Sequence, residues 1–285
     1  MLNKWVVLIF TILFWGLAFT AIKYSVSYLD PLELASLRFA VADVFFCFGF
    51  IGRRIQNTEK DIPAVFILGL FGVSIYHIFL NAGEIYVSLG VASLIISTAP
   101  IFVLILSWMF LKEKITGVKV LGILVAFVGV ALISKPENGN FASFVGFILV
   151  FISSLSAAAY TVLGKKLMQN YDSVTLTSAT VILGSIPLFP FSISAAKKIL
   201  FYQDLGLILS VLFLGIFSTY LGYLGWYYFL EREEASKASV FLLAIPFVSI
   251  IAGVFLLKES ITALTILGGV AVIIGIFLVV KEQRT

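Results

Sequence analysis

The sequence predicts an all-α integral membrane protein, with ten transmembrane helices arranged as two inverted five-helix repeats. Three observations carry that expectation. Of the 285 residues, 61% are hydrophobic and only 12% charged, about half the charged fraction of a soluble domain. Such a surface cannot be kept in water, which excludes a soluble enzyme, a nucleic-acid binder and a disordered chain. Charges and turn residues cut the chain into ten apolar stretches, each near the roughly 20 residues that a spanning helix needs. The second half of the chain also repeats the first.

In order, the stretches fall at about 5–24, 32–52, 63–84, 88–111, 117–135, 142–164, 174–194, 205–229, 236–257 and 262–280. The first follows Lys4 and superficially resembles a secretory signal. It is longer than a signal core and more apolar stretches follow, so it reads as a membrane helix. Asp30-Pro31 and the segment from Arg53-Arg54 to Asp61 bound the second. The divide between the third and fourth, Glu84 to Gly90, is barely polar, but a helix fusing the two would be too long. Lys112-Glu113-Lys114 ends the fourth, Lys135 to Asn140 ends the fifth, Glu231 to Glu234 precedes the ninth, and Lys258-Glu259 precedes the tenth. Thr116 and Thr262 are placed as N-caps of the fifth and tenth. Barrel strands are excluded, because they alternate and need only about 9–11 residues.

The formal charge is +4. With the N-terminus inside, 13 basic residues, among them Lys4, Arg53, Arg54, Lys112, Lys165, Arg232 and Arg284, fall on the cytoplasmic side. Five (Lys23, Lys135, Lys197, Lys198 and Lys258) fall on the other, and Arg38 lies within a span. The positive-inside bias therefore predicts a multi-pass cell-membrane protein with both termini cytoplasmic. Cys47 is the one cysteine and His77 the one histidine, so neither a disulfide framework nor a metal site is expected. No cofactor or ATP-binding motif is present, which leaves a gradient as any driving force.

A shift of 146 lays Pro100 on Pro246, Leu111-Lys112-Glu113 on Leu257-Lys258-Glu259, Ile115-Thr116 on Ile261-Thr262, Gly122 on Gly268, Gly129 on Gly275 and Lys135 on Lys281. Between 92 and 135 it gives 14 identities in 44 positions. Two repeat units follow, 1–137 and 138–285. Each has five spans, an odd number, so the second enters the membrane from the opposite side. Inverted repeats of this kind let a midplane site open first to one side and then to the other.

Trp15-Gly16, Pro31 seven residues before Arg38-Phe39, and Pro100 with Leu111-Lys112-Glu113-Lys114-Ile115-Thr116, Gly122 and Gly129, together with their second-half copies, resemble the EamA-type members of the drug/metabolite transporter superfamily. The resemblance covers the whole chain. It implies a carrier of small metabolites, often amino acids or related compounds moving outward, with a central cavity between the halves. One departure concerns Trp15-Gly16 and Arg38. A shift of 142 places Ala157-Ala158 and Thr180 there, so the halves bring different chemistry to a shared site.

Candidate site residues follow from polar faces within apolar spans. Ser74, His77, Asn81 and Glu84 are spaced 3, 4 and 3, which sets them on one helical face; in lipid that face is costly and should turn inward. The 146 shift maps the first three onto Tyr220, Tyr223 and Tyr227. These residues either line a cavity or make interhelical hydrogen bonds and an interfacial aromatic belt. Ser93, Ser97, Pro100 and Ser107 form a second face, and Pro100 and Pro246 mark equivalent kinks, as gates or as packing features. Ser153, Ser156 and Tyr160 form a smaller face, and Trp15 and Phe19 could supply aromatic walls. Arg38 either binds a substrate carboxylate through its planar fork or anchors a neighbouring helix. Asp43, five residues on, lies on a different face and is not expected to pair with it. His77 and Glu84 are the candidates for proton coupling.

The expectation is a secondary carrier exporting small zwitterions such as amino acids, with a small-molecule substrate and the lipid bilayer as partners, no nucleic acid, and monomer and homodimer both open. The alternatives are a sugar-phosphate or nucleotide-sugar exchanger, which would want several cations around a dianion, and a cationic-drug exporter, which would want a deep carboxylate. From other classes, a membrane enzyme lacks a catalytic grouping, and a scaffold or sensor would be expected to carry a soluble appendage.

Overall fold

The computed structural model describes residues 3–53, 58–112, 116–133, 141–258 and 262–281. Arg54, Glu113-Lys114-Ile115, Lys135 to Asn140, Glu259, Ile261 and Arg284 lie outside them. The described residues form helices joined by short turns, in ten runs: α1 (Lys4–Ser25), α2 (Pro31–Phe50), α3 (58–84), α4 (Leu89–Leu111), α5 (Gly117–Ile133), α6 (Phe141–Leu167), α7 (Ser173–Tyr202), α8 (Leu205–Glu231), α9 (235–257) and α10 (Ala263–Lys281).

Six of the runs, α1, α4, α6, α7, α8 and the 61–84 part of α3, are long and apolar enough to cross a membrane. Helix α2 differs by its charge, since it carries Glu33, Arg38 and Asp43. Among the described residues α5 is a run of 17, and shorter apolar stretches lie at Phe241–Leu257 in α9 and Ile266–Gly275 in α10. The barely polar divide after Glu84 is a true break: Ser88 caps α4 by accepting the Val91 amide at 3.3 Å.

Each helix end follows from local chemistry. Pro31 opens α2 at a position where its missing N–H costs nothing, and the Glu33 carboxylate accepts the Asp30 amide at 2.9 Å. Lys198 of α7 then bridges Asp30 and Glu33 at 2.9 and 2.7 Å. Lys112 and Lys258, 146 apart, close α4 and α9 in the left-handed region (φ 59° and 55°), with their amides on the carbonyls of Ser107 and Gly253. The carbonyls of Thr116 and Thr262 accept the Val120 and Ile266 amides, as residues at a helix start do.

Two interruptions also stand 146 apart. A π-helical stretch occupies Leu70–Ile75 in α3 and another Leu214–Leu221 in α8. Helix α4 breaks at Ser97-Thr98 just before Pro100, and α9 breaks at the 3₁₀ turn just before Pro246. Both prolines thus start a new helical segment, and neither kinks a continuous one. The α4 break is satisfied from α6, where Ser154 Oγ lies 3.0 Å from Thr98 Oγ1 and 3.3 Å from the Ile96 carbonyl.

Packing brings α1 against α8 and α9, α2 against α7 and α8, α6 against α3 and α4, and α5 along α10. The α5–α10 contact is reciprocal. A Cβ on Gly129 would stand 2.6 Å from the Gly268 carbonyl oxygen, and one on Gly275 would stand 2.4 Å from that of Gly122. Only glycine allows backbones this close.

Two half-buried lysines fasten helix ends in the same way. Lys23 Nζ, on α1, donates to the carbonyls of Glu84 (2.5 Å) and Val87 (2.8 Å) at the end of α3. Lys165 Nζ, on α6, donates to those of Leu230 (2.7 Å) and Glu233 (2.8 Å) at the end of α8. A cation here satisfies orphan carbonyls and complements the helix dipole. Lys23→Met and Lys165→Met should each cost about 1–3 kcal/mol, read as a lower melting temperature in detergent; unchanged melting would show that the lysines do not hold these ends.

Candidate functional site

Between α1, α2, α3, α4, α6, α8 and α9 lies a cavity of about 70 Å³. Its wall has a regularity that composition cannot produce. Trp15, Ala18 and Phe19 line it with Ala157, Tyr160 and Thr161, each 142 residues further on. Gly72, His77, Leu80, Ile96 and Ala99 line it with Ser218, Tyr223, Trp226, Leu242 and Ile245, each 146 further on. These eight pairs account for 16 of the 19 lining residues; the others are Ile22, Arg38 and Tyr76.

The polar centre of the cavity is a directed line of hydrogen bonds. Tyr223 Oη donates to the Gly72 carbonyl at 2.6 Å, so toward His77 Nε2, at 2.8 Å, its oxygen acts as the acceptor. His77 is thereby fixed as the Nε2–H tautomer, and its Nδ1 accepts from Arg38 Nη1 at 3.2 Å. Arg38 also donates from Nε to Thr219 Oγ1 (2.5 Å) and from Nη2 to Ser218 Oγ (2.8 Å). The guanidinium has five N–H groups, and these contacts use three. Arg38 therefore anchors α2 to α8 and lines the cavity at once.

The two π-helical stretches make this geometry available. A π turn shifts the backbone bonding by one residue and displaces carbonyls from the α ladder. Thr219 Oγ1 donates to the Leu214 carbonyl, five residues back, at 2.7 Å, and the Ser218 carbonyl accepts Trp15 Nε1 at 2.9 Å. The Trp15 indole meets the rings of Tyr223 and Trp226 at 6.1 and 5.8 Å. Tyr76 and Phe39 sit edge-on to His77 at 4.7 and 4.9 Å. Among the described residues, Arg38 is the one cation in the lining and no carboxylate lines the cavity.

The sequence model of the EamA-like transporter family matches this chain twice, at residues 3–135 and 144–281. The chain belongs to the EamA-like transporter family. As a family member it is a multi-pass membrane transporter and not an enzyme. A protein of Archaeoglobus fulgidus named as an uncharacterized transporter is 56% identical over 99% of this chain and 100% of its own length. A Salmonella typhimurium protein named as a probable amino-acid metabolite efflux pump is 28% identical over 93% of this chain and 90% of its own. A solved crystal structure aligns with a TM-score of 0.67 over 98% of this chain and 96% of that one, at 16% identity, which speaks to the fold.

Of the residues that the transporter's sequence singles out, Trp15, Phe19, Arg38, His77, Tyr160 and Tyr223 line the cavity. Others of that set turn elsewhere. Ser74 donates to the Gly184 carbonyl at 2.6 Å, Asn81 to the Pro31 carbonyl at 3.1 Å and Ser97 to the Ser93 carbonyl at 2.9 Å. Tyr220 packs on Phe45 and Phe46, and Tyr227 donates to the Tyr160 carbonyl at 3.3 Å. Glu84, Pro100 and Pro246 are also outside the lining. The π turn explains the first of these: it rotates the helix, so the residue sharing the face of His77 is Gly72, five positions back, and not Ser74. The same spacing relates Ser218 to Tyr223. Asp43 meets Ser185 and leaves Arg38 alone, as the five-residue spacing predicts.

Sequence reasoning missed Ser218, Thr219, Tyr76 and Trp226. A signal existed for the first two, adjacent hydroxyls after the unbroken apolar run 211–217. Tyr223→Phe should leave the His77 N–H without its acceptor and the Gly72 carbonyl without its donor. The expected cost is about 1–3 kcal/mol, measured as thermal stability in detergent; a wild-type melting curve would show that the line does not brace the helices.

Proposed function

We propose that the chain is a secondary carrier that moves small zwitterions, amino acids or close relatives, outward by alternating access through the cavity. Its two halves are read as inverted five-helix units, with ten spans in all and both termini cytoplasmic. The observation that carries this reading is the paired lining. Contact between a residue and its own counterpart, as in His77–Tyr223 at 2.8 Å, arises where the two lie on the axis relating two similar units. The separate family matches to the halves, the paired π turns and the reciprocal Gly129 and Gly275 contacts support the same axis. With five passes per unit, that axis lies in the membrane plane, the arrangement that lets the halves exchange conformations.

Size and charge favour the substrate class. A water needs about 10–15 Å³ of such space, so 70 Å³ holds a handful of water-sized groups, on the scale of a small amino acid and below that of a nucleotide sugar. Arg38 keeps two N–H groups beyond its three protein partners, which suit one carboxylate. The aromatic wall of Trp15, Tyr76, Tyr160 and Trp226 suits the ammonium group through its ring faces. A dianion would lack a second cation and a cationic drug would lack a carboxylate. The name of the Salmonella relative points the same way. His77, held by donors and acceptors on both nitrogens, is read as the group that positions Arg38.

The test is counterflow in proteoliposomes against neutral amino acids, their carboxyl amides, sugar phosphates and cationic dyes. Amino acids should exchange and their amides should not; preference for phosphates or dyes would overturn the substrate class, and exchange of none would overturn this reading of the cavity. Arg38→Lys should weaken amino-acid affinity about tenfold, near 1.4 kcal/mol, because an ammonium cannot reproduce the planar fork. Wild-type affinity in that variant would move the carboxylate site away from Arg38.

A further inference from the structure

Asp43 lies midway along α2, is 6% exposed, and has no part in the cavity. Its Oδ2 is 2.7 Å from Ser185 Oγ on α7, and its Oδ1 has no hydrogen-bond partner. Among the described residues it forms no ion pair.

The elements packed on α2 bring little charge toward it. Residues 173–191 of α7 contain no titratable side chain, and 205–221 of α8 contain only Tyr220. Helix α3 contributes Tyr76, His77 and Glu84. Arg38, on α2 itself, is turned to His77, Ser218 and Thr219. At the far end of α7, Lys197 lies beside Lys198, which is engaged by Asp30 and Glu33.

Ser185 Oγ is also 2.9 Å from the Ile182 carbonyl, and a hydroxyl has one proton to give. If it goes to Ile182, as serine hydroxyls in helices commonly donate back along the chain, the short contact with Oδ2 needs a proton from Asp43, and Oδ1 is a neutral carbonyl oxygen. If it goes to Asp43, a carboxylate is left buried in hydrocarbon with one hydrogen bond and no cation, the costly arrangement. The cost of burying an unpaired charge favours the acid.

The position of the contact in the fold points the same way. Residues 43 and 185 differ by 142, the offset that relates Lys23 to Lys165 and Trp15 to Ala157. Like His77 with Tyr223, Asp43 therefore meets its own counterpart, and the two contacts mark one axis. A group on an in-plane axis is equally far from both membrane faces.

We propose that Asp43 is the proton-binding site of this carrier, protonated in the arrangement described and exposed to the two faces in turn. An O–H bond forms at Oδ2 with a proton taken from water on one side and breaks to water on the other. The proposal rests on the two-unit carrier reading. It moves proton coupling from His77 and Glu84 to a site outside the cavity.

The experiment compares the wild type with Asp43→Asn, which mimics the neutral acid, and Ser185→Ala, in proteoliposomes. The infrared difference between the wild type and Asp43→Asn at neutral pH should contain a protonated-carboxyl C=O band, shifted in Ser185→Ala; absence of the band would overturn the proposal. Counterflow of labelled L-alanine, L-leucine and L-phenylalanine should persist in Asp43→Asn, while accumulation driven by a pH gradient falls to the level without one. Gradient-driven accumulation by Asp43→Asn, or its absence from a wild type that exchanges these amino acids, would also overturn it. If the wild type exchanges none of them, the cavity reading fails, and the infrared band still decides whether Asp43 holds the proton.

Discussion

The line from Arg38 through His77 to Tyr223 and the Gly72 carbonyl is the constraint on which the interior depends. Hydrocarbon offers no hydrogen bonds, so each polar group placed there must be satisfied within the protein. A guanidinium in mid-helix is the costliest such group in this chain. Its three protein contacts fasten α2 to α3 and α8, and the tautomer it imposes on His77 passes that order on to Tyr223. Cavity shape, aromatic wall and helix crossing follow from where this one cation can be accommodated.

The π turns are what make room for it. In a regular α-helix the carbonyls of Gly72 and Ser218 would stay in the backbone ladder. Here one accepts the Tyr223 hydroxyl and the other the Trp15 indole. The turns stand at equivalent places in the two halves, yet the halves use them differently. Arg38 has Thr180 as its counterpart, which lies 3.5 Å from the Tyr160 hydroxyl. One half thus supplies the guanidinium, while both supply rings: Trp15, Phe19 and Tyr76 from the first, Tyr160, Tyr223 and Trp226 from the second.

The sequence made the helices and six of the 19 lining residues legible, for different reasons. Apolar stretches bounded by charge reveal helices because burial in lipid demands length and continuity. His77 and Tyr223 stood out because polar groups in such stretches are rare. Ser74, Asn81 and Tyr227 stood out on the same ground and are in fact helix-to-helix ties. Periodicity assumes 3.6 residues per turn, and the π turns break that assumption where the site is built. Ser97 and Pro100 are neighbours of the lining residues Ile96 and Ala99 for a related reason: the break at Ser97-Thr98 re-aims the helix that follows.

By itself the sequence determined the membrane class, the helical punctuation, the internal offsets of 142 and 146, and the resemblance to a transporter family, since each follows from composition and order along the chain. Only the tertiary structure decided which equivalent residues face each other, that Arg38 belongs to the cavity while Asp43 meets Ser185 outside it, and which way the hydrogen bonds run. Those depend on helix rotation and on contacts between segments more than a hundred residues apart, and a local pattern carries no information about either.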